Sequence, residues 1–311
     1  MTGFTPVDVR SLNTDTPPLM DLYQLVQGQY VLYCEAEASF SASAKMSLLE
    51  NGVAVLYVPT TDRSGLSHRN LTRLLSLPDS QMPPLLKAGM LYSTAIAAAK
   101  GILTHPESPD GQRAVEQVVR MTISQLTRSR SIFFALLSMM QHDSSMYSHA
   151  VNVCTYAAGL GVRLRWERED LRALGFAAFL HDVGKTRVPV EILRKTNGLT
   201  DEEAAILRRH PDWGAELLRE SAADRRVEEV IVRQHHERLD RSGYPAGLGV
   251  DAVHPAARLL AVADVYDRLT SHRPDQSPRR PYDALATMRD EMGAQLDQTM
   301  LCSFIQLLGG R

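Results

Sequence analysis

The stretch Phe179-Leu180-His181-Asp182-Val183-Gly184-Lys185 sets a histidine and an aspartate side by side at the end of the apolar run Leu174-Gly175-Phe176-Ala177-Ala178-Phe179-Leu180. A buried polar group without a partner costs about 2–7 kcal/mol and an ionised carboxylate more, so Asp182 needs compensation in such a setting. A metal ion supplies it most economically. The other ligands must then lie on neighbouring helices, because helical bundles build metal sites from inward-facing side chains. Candidates follow in order: His149 among Ala150, Val153 and Ala157, then His210, the doublet His235-His236 before Glu237, and Asp264 on the stripe Ala257, Leu260, Ala261, Asp264. Each alone has an ordinary explanation. A lone histidine on an apolar face is more often a core residue, an internal aspartate is usually salt-bridged (here to Arg258 or Arg268), and a histidine doublet is commonly a solvated helix end. Together, with the charged members placed where solvation is least available, they point to a metal cluster. A set of imidazoles and carboxylates without thiolate suits Fe, Mn or Zn.

The elements that position these residues are mostly helical. From Pro83 onward Pro and Gly sit between periodic segments rather than inside them, and the segment Gln112–Gln141 repeats apolar residues at helical spacing (Val115, Val118, Val119, Ile123, Leu126) as a connecting helix would. That helix could also pair with a second copy, giving a homodimer. Further helices are predicted at about 145–160, 168–181, 201–210, 213–220, 227–238, 256–271 and 282–292. Thr200-Asp201-Glu202-Glu203 has the form of a capping box. His210 is expected to end the helix that the box begins. Residues 1–82 read differently: two β-rich runs, Tyr30–Cys34 and Val53–Val58, flank a short helix from Ala44 to Glu50 that Asn51-Gly52 ends. The expected division is a small α/β module over 1–82, a linker over 83–111 and a helical domain over 112–311.

At 311 residues and 44% hydrophobic, the chain can bury a real core. A net charge of -2 with interspersed signs offers no basic stripe for a nucleic acid polymer and no polybasic arm for a membrane. The N-terminus lacks a basic and apolar leader, and no run approaches the roughly 18 apolar residues of a membrane span, so a cytoplasmic location is expected. Cys34, Cys154 and Cys302 show neither CxxC spacing nor an even count and are expected to be small core residues. Trp166 and Trp213 are expected to pack, and His68, His105, His142 and His254 to lie on the surface.

The run His181-Asp182-Val183-Gly184-Lys185, then His210-Pro211, then His235-His236-Glu237 leading to Gly243-Tyr244-Pro245, then Ala263-Asp264-Val265-Tyr266-Asp267, resembles the HD-GYP family, a branch of the HD phosphohydrolases. The likeness covers about Arg113 to Arg311. It implies a mainly α fold: a helical HD-GYP metal-binding domain preceded by the small α/β N-terminal module. Active members hydrolyse the bacterial second messenger cyclic di-GMP to pGpG, some continuing to GMP. The resemblance implies metal ligation by His149, His181, Asp182, His210, His235, His236 and Asp264, with Asp182 bridging two divalent ions, and it tips the metal toward iron or manganese. Two ions a few Å apart stabilise both attacking and leaving oxygens at phosphorus. Lys185 matches the family's lysine near the scissile phosphate, where it can neutralise growing charge. Gly243-Tyr244-Pro245 matches the signature loop, which the family places near the substrate and uses as a surface for signalling proteins.

Three departures stand out. Some members hold a third metal through a glutamate one turn before the first histidine, but Ser145 stands there, so two metals are expected. The family usually reads Arg-Pro-Tyr and a basic residue after the last metal aspartate, whereas Arg273-Pro274 here precedes Asp275-Gln276. Arg273 still offers its planar fork to phosphate or guanine, and Arg279-Arg280-Pro281-Tyr282 could stand in for the missing groups. His272 replaces an acidic residue. These changes bear on substrate affinity, and they leave room for a slow or inactive cyclic di-GMP receptor, or for a phosphodiesterase of another cyclic dinucleotide, beside the leading reading.

Overall fold

The computed structural model describes residues 4–12, 14, 18, 21–26, 28–35, 38–59, 71, 75–140, 145–195, 198–221, 225–272 and 277–310. The chain divides into two compact units, one of Met1–Thr94 with Phe134–Met139, the other of Ala95–Phe133 with Met140–Arg311.

The first unit carries an antiparallel sheet of β1 (Phe4–Asp8), β2 (Leu22–Val26), β3 (Gln29–Cys34) and β4 (Val55–Pro59) in the order β1-β4-β2-β3. β1 pairs with β4 from Phe4↔Pro59 to Asp8↔Val55, and a bulge interrupts the β2–β3 ladder at Leu22/Tyr23. Helix α1 (Ala42–Glu50) starts on the Ser41 hydroxyl. It ends as expected: Asn51 caps it and Gly52, at φ +74°, lets Val53 N–H reach the Leu48 carbonyl at 2.8 Å. β1 and β2 escape the sequence reading because Pro6 interrupts the donor pattern of the first and both are only five residues long. Helix α2 (Pro84–Thr104) occupies most of the segment read as a linker.

The expected connecting helix over 112–141 is two helices, α3 (Pro109–Arg128) and α4 (Arg130–Met139). Ser129 is extended at φ -150°, ψ 124° and caps α3, within the polar run Thr127-Arg128-Ser129-Arg130-Ser131 that interrupts the apolar period. Gln141 lies outside the described residues.

In the second unit α5 (Met146–Arg163) is buried on all sides from Ser148 to Gly161 and forms the central rod. The unit continues with α6 (Arg168–Leu180), a 3₁₀ turn over Val183–Arg187, α7 (Val190–Leu193), α8 (Asp201–Leu207), α9 (His210–Ser221), α10 (Arg226–Gln234), α11 (Pro255–Thr270), α12 (Pro281–Asp290) and α13 (Gln298–Leu308), of which α6, α11 and α13 pack on α5. Small residues let α5 approach its neighbours. A Cβ on Gly159 would meet the Phe133 ring at 2.6 Å, and one on Gly161 would meet Leu171 at 2.6 Å. The Thr200 capping box is present with both reciprocal bonds. α8 ends at Leu207, however, and His210 opens the next helix, because Pro211 has no N–H to continue α8 but suits a first turn. α13 was absent from the sequence reading. Its Phe304 is fully buried and meets Tyr156 and Tyr266 edge-on, with ring centroids 5.8 and 5.1 Å away. Only Cys154 of the three cysteines is a core residue, and its thiol is pushed up to about 12 by burial. Cys34 is half-buried and Cys302 exposed. No described helix is long and apolar enough to cross a membrane.

Phe304→Ala should destabilise the helical unit by about 3–5 kcal/mol through the cavity it leaves. Denaturant unfolding should show a lower midpoint at unchanged slope; a loss below 1 kcal/mol would show that α13 contributes little to this core.

Candidate metal centre

Five helices deliver the seven sequence-predicted donors to one place in the second unit. His149 sits in the first turns of α5, His181 and Asp182 close α6, His210 opens α9, His235 and His236 close α10, and Asp264 lies midway along α11. All seven are buried. Their donor atoms form two groups, His149, His181 and Asp264 in one and Asp182, His210, His235 and His236 in the other.

Asp182 spans the two groups with its two oxygens. Oδ1 lies 3.2 Å from His210 Nε2 and 3.9 Å from His235 Nε2, while Oδ2 lies 3.5 Å from His149 Nε2 and 3.6 Å from His181 Nε2. Asp264 spans them as well, with Oδ1 3.2 Å from His149 Nε2 and Oδ2 3.9 Å from His236 Nδ1. The alternative partners offered by the sequence do not all survive. Arg258 bonds the Val250 and Val253 carbonyls and lies 3.8 Å from Asp297, and so is not the partner of Asp264. Arg268, one turn beyond Asp264, adds a positive field at that carboxylate.

Four of the five imidazoles are oriented from behind. Nδ1 of His181, His210 and His235 lies 2.8, 2.7 and 2.6 Å from the carbonyls of Ala178, Leu207 and Val232, each three residues back at a helix end. Those carbonyls are the ones a helix leaves without intrahelical partners. A carbonyl only accepts, so each Nδ1 carries the proton and each Nε2 presents a lone pair to the cluster. His149 follows the same rule with a carboxylate, its Nδ1 lying 2.7 Å from Asp267 Oδ2. Asp267 also accepts from the Asn152 amide at 3.1 Å and the Ser271 hydroxyl at 3.3 Å.

Inward lone pairs and carboxylates at these distances repel unless something positive lies among them. His149 Nε2 and His181 Nε2 are 3.1 Å apart. Asp182 Oδ1, both oxygens of Asp264 and His236 Nε2 are buried without a hydrogen-bond partner among the described residues. The protein's charges compensate in part. Burial opposes ionisation of Asp182, but the Lys185 ammonium, 2.5 Å from its Oδ2, and the neighbouring histidines hold it well below the usual carboxylate range. Asp264 is held low in the same way by His149 and Arg268 against its burial. His149 is pushed up to about 9, because Asp264 and Asp267 outweigh the burial that disfavours its charge. A proton there stands in for a cation. Burial, and then neighbouring histidines, keep His235 and His236 well below their ordinary range and therefore neutral, the form that binds metal. The orphaned oxygens and outward-tied imidazoles fit a divalent cation in each donor group, and the residues present match that requirement.

Two glycines fix the backbone at the site. A Cβ on Gly184 would overlap the His210 carbonyl oxygen, so only glycine lets the turn after Asp182 touch the start of α9. A Cβ on Gly243 would overlap the backbone of Glu237 and Arg238. The Tyr244 ring lies 4.7 Å from the His236 ring, at the edge of the donor groups. Arg273, with Asp275 and Gln276, falls outside the described residues, as do His68 and His142. In the nearby run, Arg279 bonds Thr287 and Tyr282 is 78% exposed. Ser145, at the position where a third-metal glutamate was considered, is the N-cap of α5 and accepts the Tyr147 N–H at 3.2 Å. Sequence reasoning missed Asp267 as the support of His149. The signal was present in Asp264-Val265-Tyr266-Asp267, whose aspartates lie one helical turn apart on one face.

A helical unit that converges buried histidines and aspartates, four of the five imidazoles tied from behind, defines a metal-binding HD-type domain. A profile of the HD domain matches residues 134–300, and the chain belongs to that family. Its motif order is that of the HD-GYP branch. Similar curated proteins include the cyclic di-GMP phosphodiesterase PA4108 of Pseudomonas aeruginosa, 33% identical over 71% of this chain and 54% of that protein. The cyclic di-GMP phosphodiesterase response regulator RpfG of Xanthomonas campestris is 36% identical over 59% of this chain and 46% of its own length. A 3'3'-cGAMP-specific phosphodiesterase 2 of Vibrio cholerae is 32% identical over 52% and 30%. The chain thus spans about half the length, or less, of these relatives. Among solved structures, Bd1817, an HDG"Y"P protein from Bdellovibrio bacteriovorus, shares the fold at a TM-score of 0.68 and 17% identity, over 99% of this chain and 100% of that one.

Asp182→Ala should abolish retention of metal through gel filtration, measured by elemental analysis. In the parent protein, a divalent ion at about 100 times its Kd should add about 2.7 kcal/mol to stability. The variant should show no such shift, and a full shift would remove Asp182 from the ligand set.

Proposed function

We propose that this chain is a metal-dependent phosphodiesterase that opens cyclic di-GMP to pGpG and carries some product on to GMP. The observation that carries the reading is the pair of donor groups joined through Asp182, with His149, His181, His210 and His235 each presenting Nε2 inward. The curated relatives support the substrate.

In this reading His149, His181, Asp182, His210, His235, His236 and Asp264 hold two divalent ions; a donor set free of thiolate suits Fe, Mn or Zn, and the resemblance to the HD-GYP family favours iron or manganese among them. When bound, such a pair supplies an activated water and charge neutralisation at phosphorus. The chain's own residues do the rest. Asp182 shares its carboxylate between the two groups and fixes their spacing. Lys185, on the 3₁₀ turn three residues on, places an ammonium beside that carboxylate, where it neutralises charge growing on the phosphate. Tyr244 offers a ring beside His236 for the nucleotide, and Arg273 a planar fork for phosphate or guanine. The loop around Gly243 to Leu248 is also offered to signalling proteins. The module before residue 83 acts as a regulatory or oligomerisation unit, and the enzyme works in the cytoplasm.

The similarity to cGAMP-specific enzymes favours one second reading, in which the same chemistry acts on another cyclic dinucleotide.

Anaerobic incubation with Fe(II) or Mn(II) should convert cyclic di-GMP to pGpG or GMP faster than 3'3'-cGAMP, followed by chromatography. The reverse preference would establish the second reading. Lys185→Ala should keep its metal and lose roughly 10²–10³ in kcat; an unchanged rate would leave Lys185 a structural partner of Asp182.

A further inference from the structure

Glu237 follows the histidine doublet and is 2% exposed, yet the metal-site reading gives it no task. Both of its oxygens are occupied by a single loop. Oε1 accepts the Ala246 N–H at 2.8 Å and Oε2 accepts the Leu248 N–H at 2.9 Å. Charge-assisted bonds of this kind are about twice as strong as neutral ones, and burial shields them from water. Two further contacts tie the same loop to the same segment. Tyr244 N–H donates to the His236 carbonyl at 3.2 Å, and Gly243 packs on the Glu237 and Arg238 backbone where no Cβ fits. Between these ties stands Tyr244, its ring tilted 33° against His236.

We propose that Glu237 is a positioning residue, whose buried carboxylate clamps the Ala246 and Leu248 amides and so holds Tyr244 against His236 at the mouth of the donor groups. The loop is therefore set from the end of the metal-binding helix rather than by its own side chains. A loop released from the clamp should leave the metal in place but handle substrate poorly. Only the kinetic consequence rests on the phosphodiesterase reading.

The test compares the parent protein with Glu237→Gln and Glu237→Asp by three measurements: residue-resolved amide exchange, bound metal per chain, and KM and kcat for cyclic di-GMP. Glutamine keeps the volume but sets an NH₂ against one backbone N–H. Exchange at Ala246 and Leu248 should quicken on the order of 10–100-fold, the worth of a lost hydrogen bond to a charged group. Metal content should stay at the parent value, and KM should rise several-fold more than kcat falls. Aspartate keeps the charge with a shorter reach and should restore part of the protection, which also serves if the glutamine variant fails to fold. Unchanged exchange in Glu237→Gln, or loss of metal in step with faster exchange, would overturn the proposal. If the parent turns over no cyclic dinucleotide, the phosphodiesterase reading fails, while exchange and metal content still decide the role of Glu237.

Discussion

Two ionised carboxylates, Asp182 and Asp264, lie where helices α6 and α11 bring them out of water, and the layout of the helical unit answers to their charge. Removing a carboxylate from water is costly unless it is paired and hydrogen-bonded, and these two leave oxygens without hydrogen-bond partners. The chain compensates with Lys185 at Asp182, with the field of Arg268 at Asp264, and with a histidine between the acids whose proton is held to about pH 9. These charges balance the site only partly, which is why the geometry suits cations better than any arrangement of the protein's own groups.

The second constraint is the tautomer of each histidine. A neutral imidazole has one donor and one acceptor nitrogen, so the partner at one fixes what the other can do. Three histidines obtain that partner from a helix end, where carbonyls are left over by the helix itself. Terminating a helix and aiming an imidazole lone pair are thus one act of folding at these positions. His149 lies inside a helix where no carbonyl is spare, and Asp267 takes over that duty.

Much of this was legible in the sequence because a buried charge among apolar residues is itself a signal. The apolar stripe carrying Asp264 and the run leading to His181-Asp182 announce burial, and burial demands a partner. The helix positions followed from periodicity, except where a proline or a polar run decided the matter: Pro211 moved His210 from the end of one helix to the start of the next, and Ser129 split the long segment. The short strands β1 and β2 and helix α13 were not legible, since five residues give no dependable period and α13 is defined by the aromatic contacts of Phe304. Glu237 and Asp267 were visible as residue types, but their hydrogen-bond partners are set by tertiary approach.

Ser145 carries a consequence for how such sites diversify. Its hydroxyl begins α5, the helix whose first turns hold His149, and an N-cap of this kind is worth about 0.5–2 kcal/mol. A carboxylate side chain longer than aspartate caps poorly, so an evolutionary step that placed a glutamate at 145 to recruit another cation would loosen the helix start that aims His149. At position 145 the N-cap of α5 and a longer carboxylate would compete for one side chain, and Ser145 serves the helix.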